Sequence, residues 1–139
     1  NSVHATSTSA QYADLAEIYA TDPPLETGEV VILGGSEEIT KCMEDKSDAV
    51  FGVVSDAPAY LMNSEAGNND THPAIALTGR VPVKVRGTGK AGDRIVSAGS
   101  GEARVAADDE ATTFNTLGRL IKDKYNEETA LTECVIGVK

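Results

Sequence analysis

Apolar residues in this chain arrive in short bursts, and a turn signal cuts off each burst. "EVVIL" (29–33) runs into "GGSEE", "EITKC" (38–42) follows, and "DAVFGVVS" (48–55) comes next. Further along stand "HPAIALTGRVPVKVRG" (72–87), "RIVSAGSGEARVAA" (94–107), "TLGRLIKDK" (116–124) and "LTECVIGVK" (131–139). Short apolar runs bounded by Gly, Ser, Asp or Pro read as strands. Within "RVPVKVR", Val81, Val83 and Val85 share one face. Pro82 has no N–H to give a ladder, which places that strand at an edge or a bulge. The tally is about eight or nine short strands, roughly 8–14 residues apart, the pattern of an all-β sandwich or barrel.

Aromatic residues are 4% of the chain and Trp is absent, so the core must come from Val, Ile, Leu and Ala. With 139 residues, of which 40% are apolar, there is enough for one domain with a real core. We therefore expect a mainly β fold, a compact sandwich or barrel of short strands. One short helical segment is expected near the N-terminus, at 12–19, where Ala, Leu and Glu favour helix. A second helical turn is expected near 58–63. Residues 1–12 read as an extended lead-in and 13–139 as a single β-rich domain. The opening "NSVHATSTSA" starts without Met and has no apolar stretch of a signal peptide, so it reads as the continuation of something upstream.

An internal repeat runs through the pattern. "GEVVILGGSEE" (28–38) is similar to "GDRIVSAGSGEA" (92–103), and each is followed by a strand with a central Gly, "FGVVS" (51–55) and "LGRLI" (117–121). The spacing is roughly 64 to 66 residues. Two related β-units packed on each other are expected.

A net charge of −10 repels phosphate, and no Lys/Arg cluster reverses it locally, so no nucleic-acid partner is expected. No apolar run approaches the roughly 18 residues of a membrane helix, so no membrane partner is expected either. Cys42 and Cys134 lack paired spacing, and only His4 and His72 could join them at a metal; two buried thiols are the expectation, with a disulfide left open. "RGTGKAGD" (86–93) lacks phosphate-loop spacing and reads as a β-turn leading into a strand. "NND" (68–70) and "DDE" (108–110) read as acidic turns rather than cation sites. "SEAGNNDTHP" (64–73) reads as an exposed loop. No cofactor is expected.

The stretch "QYADLAEIYATD" (11–22) carries two of the four tyrosines. Asp14 and Glu17 stand three apart, so on a helical turn they would face one side and could divide acid and base work between them. A solvated helix face is the simpler reading of that spacing.

"ADLAEIYATDPPLETGEVVIL" (13–33), "FGVVSDAPAYLMNS" (51–64) and "ALTGRVPVKVRGTGKAGDRIVSAG" (76–99) together resemble a domain near the C-terminus of phage tail-fibre and appendage proteins. The resemblance runs from Gln11 to the end. The domain is related to the intramolecular-chaperone, self-cleaving group. The resemblance implies a β-rich, trimeric fold that helps an upstream fibre fold and register. It also aligns the scissile bond with Ala13–Asp14 and the catalytic carboxylate with Glu17. Leu15 and Ile18 stand where that group carries aromatics.

We thus expect a structural virion domain that supports trimer assembly, catalytically silent, partnered by its own copies and an upstream fibre segment or other virion proteins. One alternative is a single-turnover self-cleaving chaperone that cuts Ala13–Asp14 with Glu17. The other is a capsid-decoration protein, because "KAGDRIVSAGSGEARVAA" (90–107) also resembles small β-rich proteins of phage heads. The expected location is the virion or the extracellular medium.

Overall fold

The computed structural model describes residues 13–56, 60–62 and 71–139. Among them are ten strands and no helix. In chain order they are β1 (Ala13–Ile18), β2 (Val30–Leu33), β3 (Ile39–Lys41), β4 (Val50–Val54), β5 (Tyr60–Met62), β6 (Ala74–Arg86), β7 (Arg94–Gly99), β8 (Glu102–Val105), β9 (Gly118–Leu120) and β10 (Ala130–Ile136).

Strand β6, 13 residues long, organises the rest. Its first half pairs with β1 and β4; β4 pairs with β2, and β2 with β3. The circuit closes where Ile39 of β3 makes a parallel bridge to Thr21, just past β1. The second half of β6 pairs with β10 and β8; β8 pairs with β7, β7 with β9, and β9 with β10. Two small barrels of five strands each therefore share β6. Strand β5 lies outside both and pairs in parallel with β1. Pro82 falls between Arg80, where pairing to β1 ends, and Val85, where pairing to β8 begins, so it has a ladder partner only in β10. The missing N–H is harmless at that open position.

The repeat expected from the sequence holds in register as well as in outline. Val31 pairs with Lys41 and Gly52 in the first barrel; Ile95 pairs with Val105 and Gly118 in the second. Ile39 meets Thr21 in parallel as Ala103 meets Val85. Ile75 faces Glu17 as Cys134 faces Val81. The turns leading in match too. The Glu29 N–H donates to the Glu26 carbonyl at 3.1 Å and the Asp93 N–H to that of Lys90 at 3.0 Å. Each acid then accepts from the N–H three residues back, at 3.0 Å and 2.9 Å. Between them Gly28 and Gly92 have φ of 87° and 92°, which only glycine adopts without strain. The central glycines also have one cause. A Cβ on Gly52 would strike the Ala76 carbonyl, and one on Gly118 would strike that of Val135.

The second barrel is filled by Val81, Val83, Val85, Ile95, Leu117, Leu120, Cys134 and Ile136, all buried. The first is filled by Val31, Ile39, Val54 and Ile75, with Tyr19, Leu25, Phe51 and Leu77 packed against them. Each fully buried valine or isoleucine contributes about 1.5–3 kcal/mol. The tip of the β7–β8 hairpin joins the two units: the Val30 N–H donates to the Gly101 carbonyl, and the Gly101 N–H to that of Cys42, both at 2.8 Å.

The expected helix at 12–19 is instead a strand at Ala13–Ile18, with Tyr19 just past its end. Residues 15–17 lie between β5 and β6 and take ladder bonds on both sides, which outweighs the modest helix preference of Ala, Leu and Glu. The helical turn expected near 58–63 is likewise a strand at Tyr60–Met62, and its remaining positions lie outside the described residues, as do Tyr12 and 63–70.

Candidate functional site

The expected site lies on β1. Side chains alternate along a strand, and the burial follows: Asp14, Ala16 and Ile18 are buried, while Leu15 and Glu17 are half-buried. Asp14 and Glu17, three apart, therefore face opposite sides. The helical pairing of the two carboxylates is overturned, because the backbone period is two and not 3.6. Asp14 is fully enclosed, at 0% exposure.

The Ala13–Asp14 bond sits in the antiparallel ladder opposite Arg80 and Gly79. Arg80 Nε donates to Glu133 Oε1 at 3.0 Å, and Lys122 Nζ lies 3.0 Å from Glu133 Oε2. The bond from Lys122 leads in holding the Glu133 carboxyl below its usual range, and Arg80 adds to it. Glu17 is four residues further along the strand than Ala13. At about 3.3 Å per residue that is on the order of 13 Å, against a glutamate reach of about 5 Å. Glu17 thus cannot touch the bond of its own chain in this arrangement.

Glu17 has a different neighbour. The Tyr19 hydroxyl donates to Glu17 Oε1 at 2.6 Å. Two residues apart, they share a face, and it is the inward face of the first barrel. The Tyr19 ring packs edge-on against Phe51, with centroids 5.1 Å apart and planes at 83°. The phenol is pushed up to about 12, first by burial, then by the bond to Glu17, with Glu38 adding repulsion. Glu38 is held by the Ala20 N–H, 2.8 Å from its Oε1. The register pairs that equate Glu17 with Val81 and Thr21 with Val85 also equate Tyr19 with Val83. Three valine positions of the second barrel are polar in the first.

Sequence reasoning missed Tyr19 as the partner of Glu17. The repeat was visible only from Gly28 onward, because "EIYAT" (17–21) and "VPVKV" (81–85) share no residue at matched positions.

Other candidates resolve into structure. Glu110 of the "DDE" turn accepts from Arg104 Nη1 at 2.7 Å and Nη2 at 3.1 Å, which draws its carboxyl down to about 2. The same guanidinium holds Asp45 at 2.8 Å and 3.0 Å. His72 Nδ1 lies 2.8 Å from Thr71 Oγ1. The "RGTGKAGD" stretch is the expected turn before β7. Cys42 and Cys134 are buried free thiols, with burial pushing Cys134 up to about 12. His4 and the "NND" stretch lie outside the described residues.

No protein-family model matches the chain, and no curated protein sequence matches it. Solved structures do. The crystal structure of a C-terminal fragment of bacteriophage phi29 gene product 12 superposes with a TM-score of 0.63 at 15% identity, covering 91% of this chain and 100% of that one. The pre-mature form of the same gene product superposes with a TM-score of 0.65 at 15% identity, over 92% of this chain but only 22% of that longer one. The double barrel built around β6 is therefore the fold of the C-terminal part of a bacteriophage protein.

Proposed function

We propose that this chain is a C-terminal domain of a phage virion appendage, and that it acts by bringing three copies of a longer chain together. One observation carries the reading: the likeness to the phi29 fragment spans nearly the whole chain and the whole fragment. Intertwined fibres have high contact order and fold slowly. A compact domain that trimerises raises the effective concentration of the upstream strands. The test is to express an upstream fibre chain with and without 13–139. The account expects a protease-resistant trimer only when the domain is present. Equal assembly without it contradicts the reading.

A second reading is single-turnover self-cleavage at Ala13–Asp14, favoured by the carboxylate that faces into the first barrel at Glu17. In this chemistry Glu17 takes a proton from water, and the hydroxide attacks the Ala13 carbonyl carbon. The bond to the Asp14 nitrogen breaks, and the proton passes to that nitrogen. The products are a carboxylate at Ala13 and an amine at Asp14. Since Glu17 cannot reach along its own strand, the carboxylate and the bond come from different copies, which ties cutting to assembly. Mass spectrometry of the chain with its upstream residues is expected to find a fragment starting at Asp14, lost in Glu17→Gln. Mixing tagged Glu17→Gln chains with wild type is expected to cut the tagged ones. A mixture in which only wild-type chains are cut contradicts transfer between copies.

A further inference from the structure

We infer that Tyr19 is the positioning residue of Glu17, and that the pair is a functional insertion into a barrel wall the fold would otherwise fill with valine. The role given to the pair rests on the self-cleavage reading above; the placement does not.

The molecule supplies its own control. The two barrels share strand order, register and entry turn, so positions correspond in register, though Glu17 and Tyr19 are half-buried where their counterparts are enclosed. At three of them the second barrel keeps Val81, Val83 and Val85, at 1%, 0% and 0% exposure. The first places Glu17, Tyr19 and Thr21 there. Thr21 turns its hydroxyl back to the Pro23 carbonyl at 3.0 Å, which is a local structural use. A carboxylate on an inward face, as at Glu17, costs desolvation that valine does not. Among the described residues no Lys or Arg forms an ion pair with it. Its bond is from Tyr19, whose own ring is fixed by the edge contact with Phe51. A rigid ring therefore sets the direction of a side chain that would otherwise sample several rotamers. Departures from a fold's own pattern collect at functional sites, where stability is given up for chemistry.

Four measurements on the chain carrying residues 1–12 decide this. Glu17→Val, which copies the second barrel, is expected to leave the melting temperature unchanged or raise it; a fall of more than roughly 5 °C makes the carboxylate a structural group and overturns the inference. Alkaline titration of Tyr19 is expected to fall from about 12 in Glu17→Gln, while staying above 10 because burial remains the larger cause. An unchanged midpoint means the pair is not formed in solution. Tyr19→Phe keeps the ring contact and is expected to slow appearance of the Asp14 fragment by on the order of tenfold to a hundredfold, with a changed pH profile. A rate and profile equal to wild type overturn positioning. A wild-type chain that yields no fragment removes the self-cleavage reading, and the inference then stands or falls on the first two measurements.

Discussion

Glu17 of the first barrel occupies the register position that Val81 holds in the second. Glu17 faces Ile75 across the ladder as Val81 faces Cys134. That relationship separates what the fold requires from what has been placed upon it. The second barrel records the requirement, an apolar lumen. The first departs from it at Glu17, Tyr19 and Thr21, at the end of β1 and just past it.

The repeat makes a paired prediction for the central glycines. Gly52→Ala and Gly118→Ala each drive a methyl group into the carbonyl of a neighbouring strand, Ala76 or Val135. Each is expected to cost about 1–3 kcal/mol in urea unfolding, the usual range for overpacking. The contrast is Gly34→Ala, where a Cβ meets nothing within 4 Å and only its φ of 133° opposes the change.

Acid should weaken the molecule through Glu110. Its folded value is depressed to about 2 from an ordinary 4.5, chiefly by the bond from Arg104. A depressed carboxylate contributes stability that is present above its unfolded value and lost as pH falls through its folded one. Glu110→Gln is therefore expected to melt below wild type at pH 7, with the gap closing between pH 4.5 and 2. Thermal scans across that window check the sign.

Lys124 is a buried cation held by neutral oxygens. Its Nζ donates to the carbonyls of Gly87 at 2.7 Å, Asn126 at 2.7 Å and Glu128 at 2.6 Å, and to Asn126 Oδ1 at 3.1 Å. Lys124→Met keeps the stem and strands those acceptors, at an expected cost of about 1–3 kcal/mol by chemical denaturation. Lys124→Arg is expected to restore little, since a planar fork does not match a compact cage.

Much of this was legible in the sequence, and the gaps have definite causes. Strands at "EVVIL", "RVPVKVR" and "LTECVIGVK" were legible because β-branched runs end at glycines or acids, and a pleated, half-buried surface wants that composition. The repeat was legible where Gly28 and Gly92 open matching turns. The β1 strand was not, because "ADLAEI" prefers helix in isolation and becomes a strand only between β5 and β6. Nor was the sharing of β6 by two barrels, because one uninterrupted run, 74–86, carries no mark of where its partners change. Glu17 was picked out by resemblance, but its inward face and its bond from Tyr19 follow from closure of the first barrel.

The proposed function rests on assembly, and the mass of the folded chain in solution tests it most directly. Each copy carries −10, so three copies repel one another and low salt works against association. At physiological ionic strength, where the screening length is about 8 Å, that repulsion is largely masked. Multi-angle light scattering at micromolar concentration and physiological salt is expected to give three times the chain mass of 14.5 kDa. A single species at the mass of one chain under the same conditions contradicts the account.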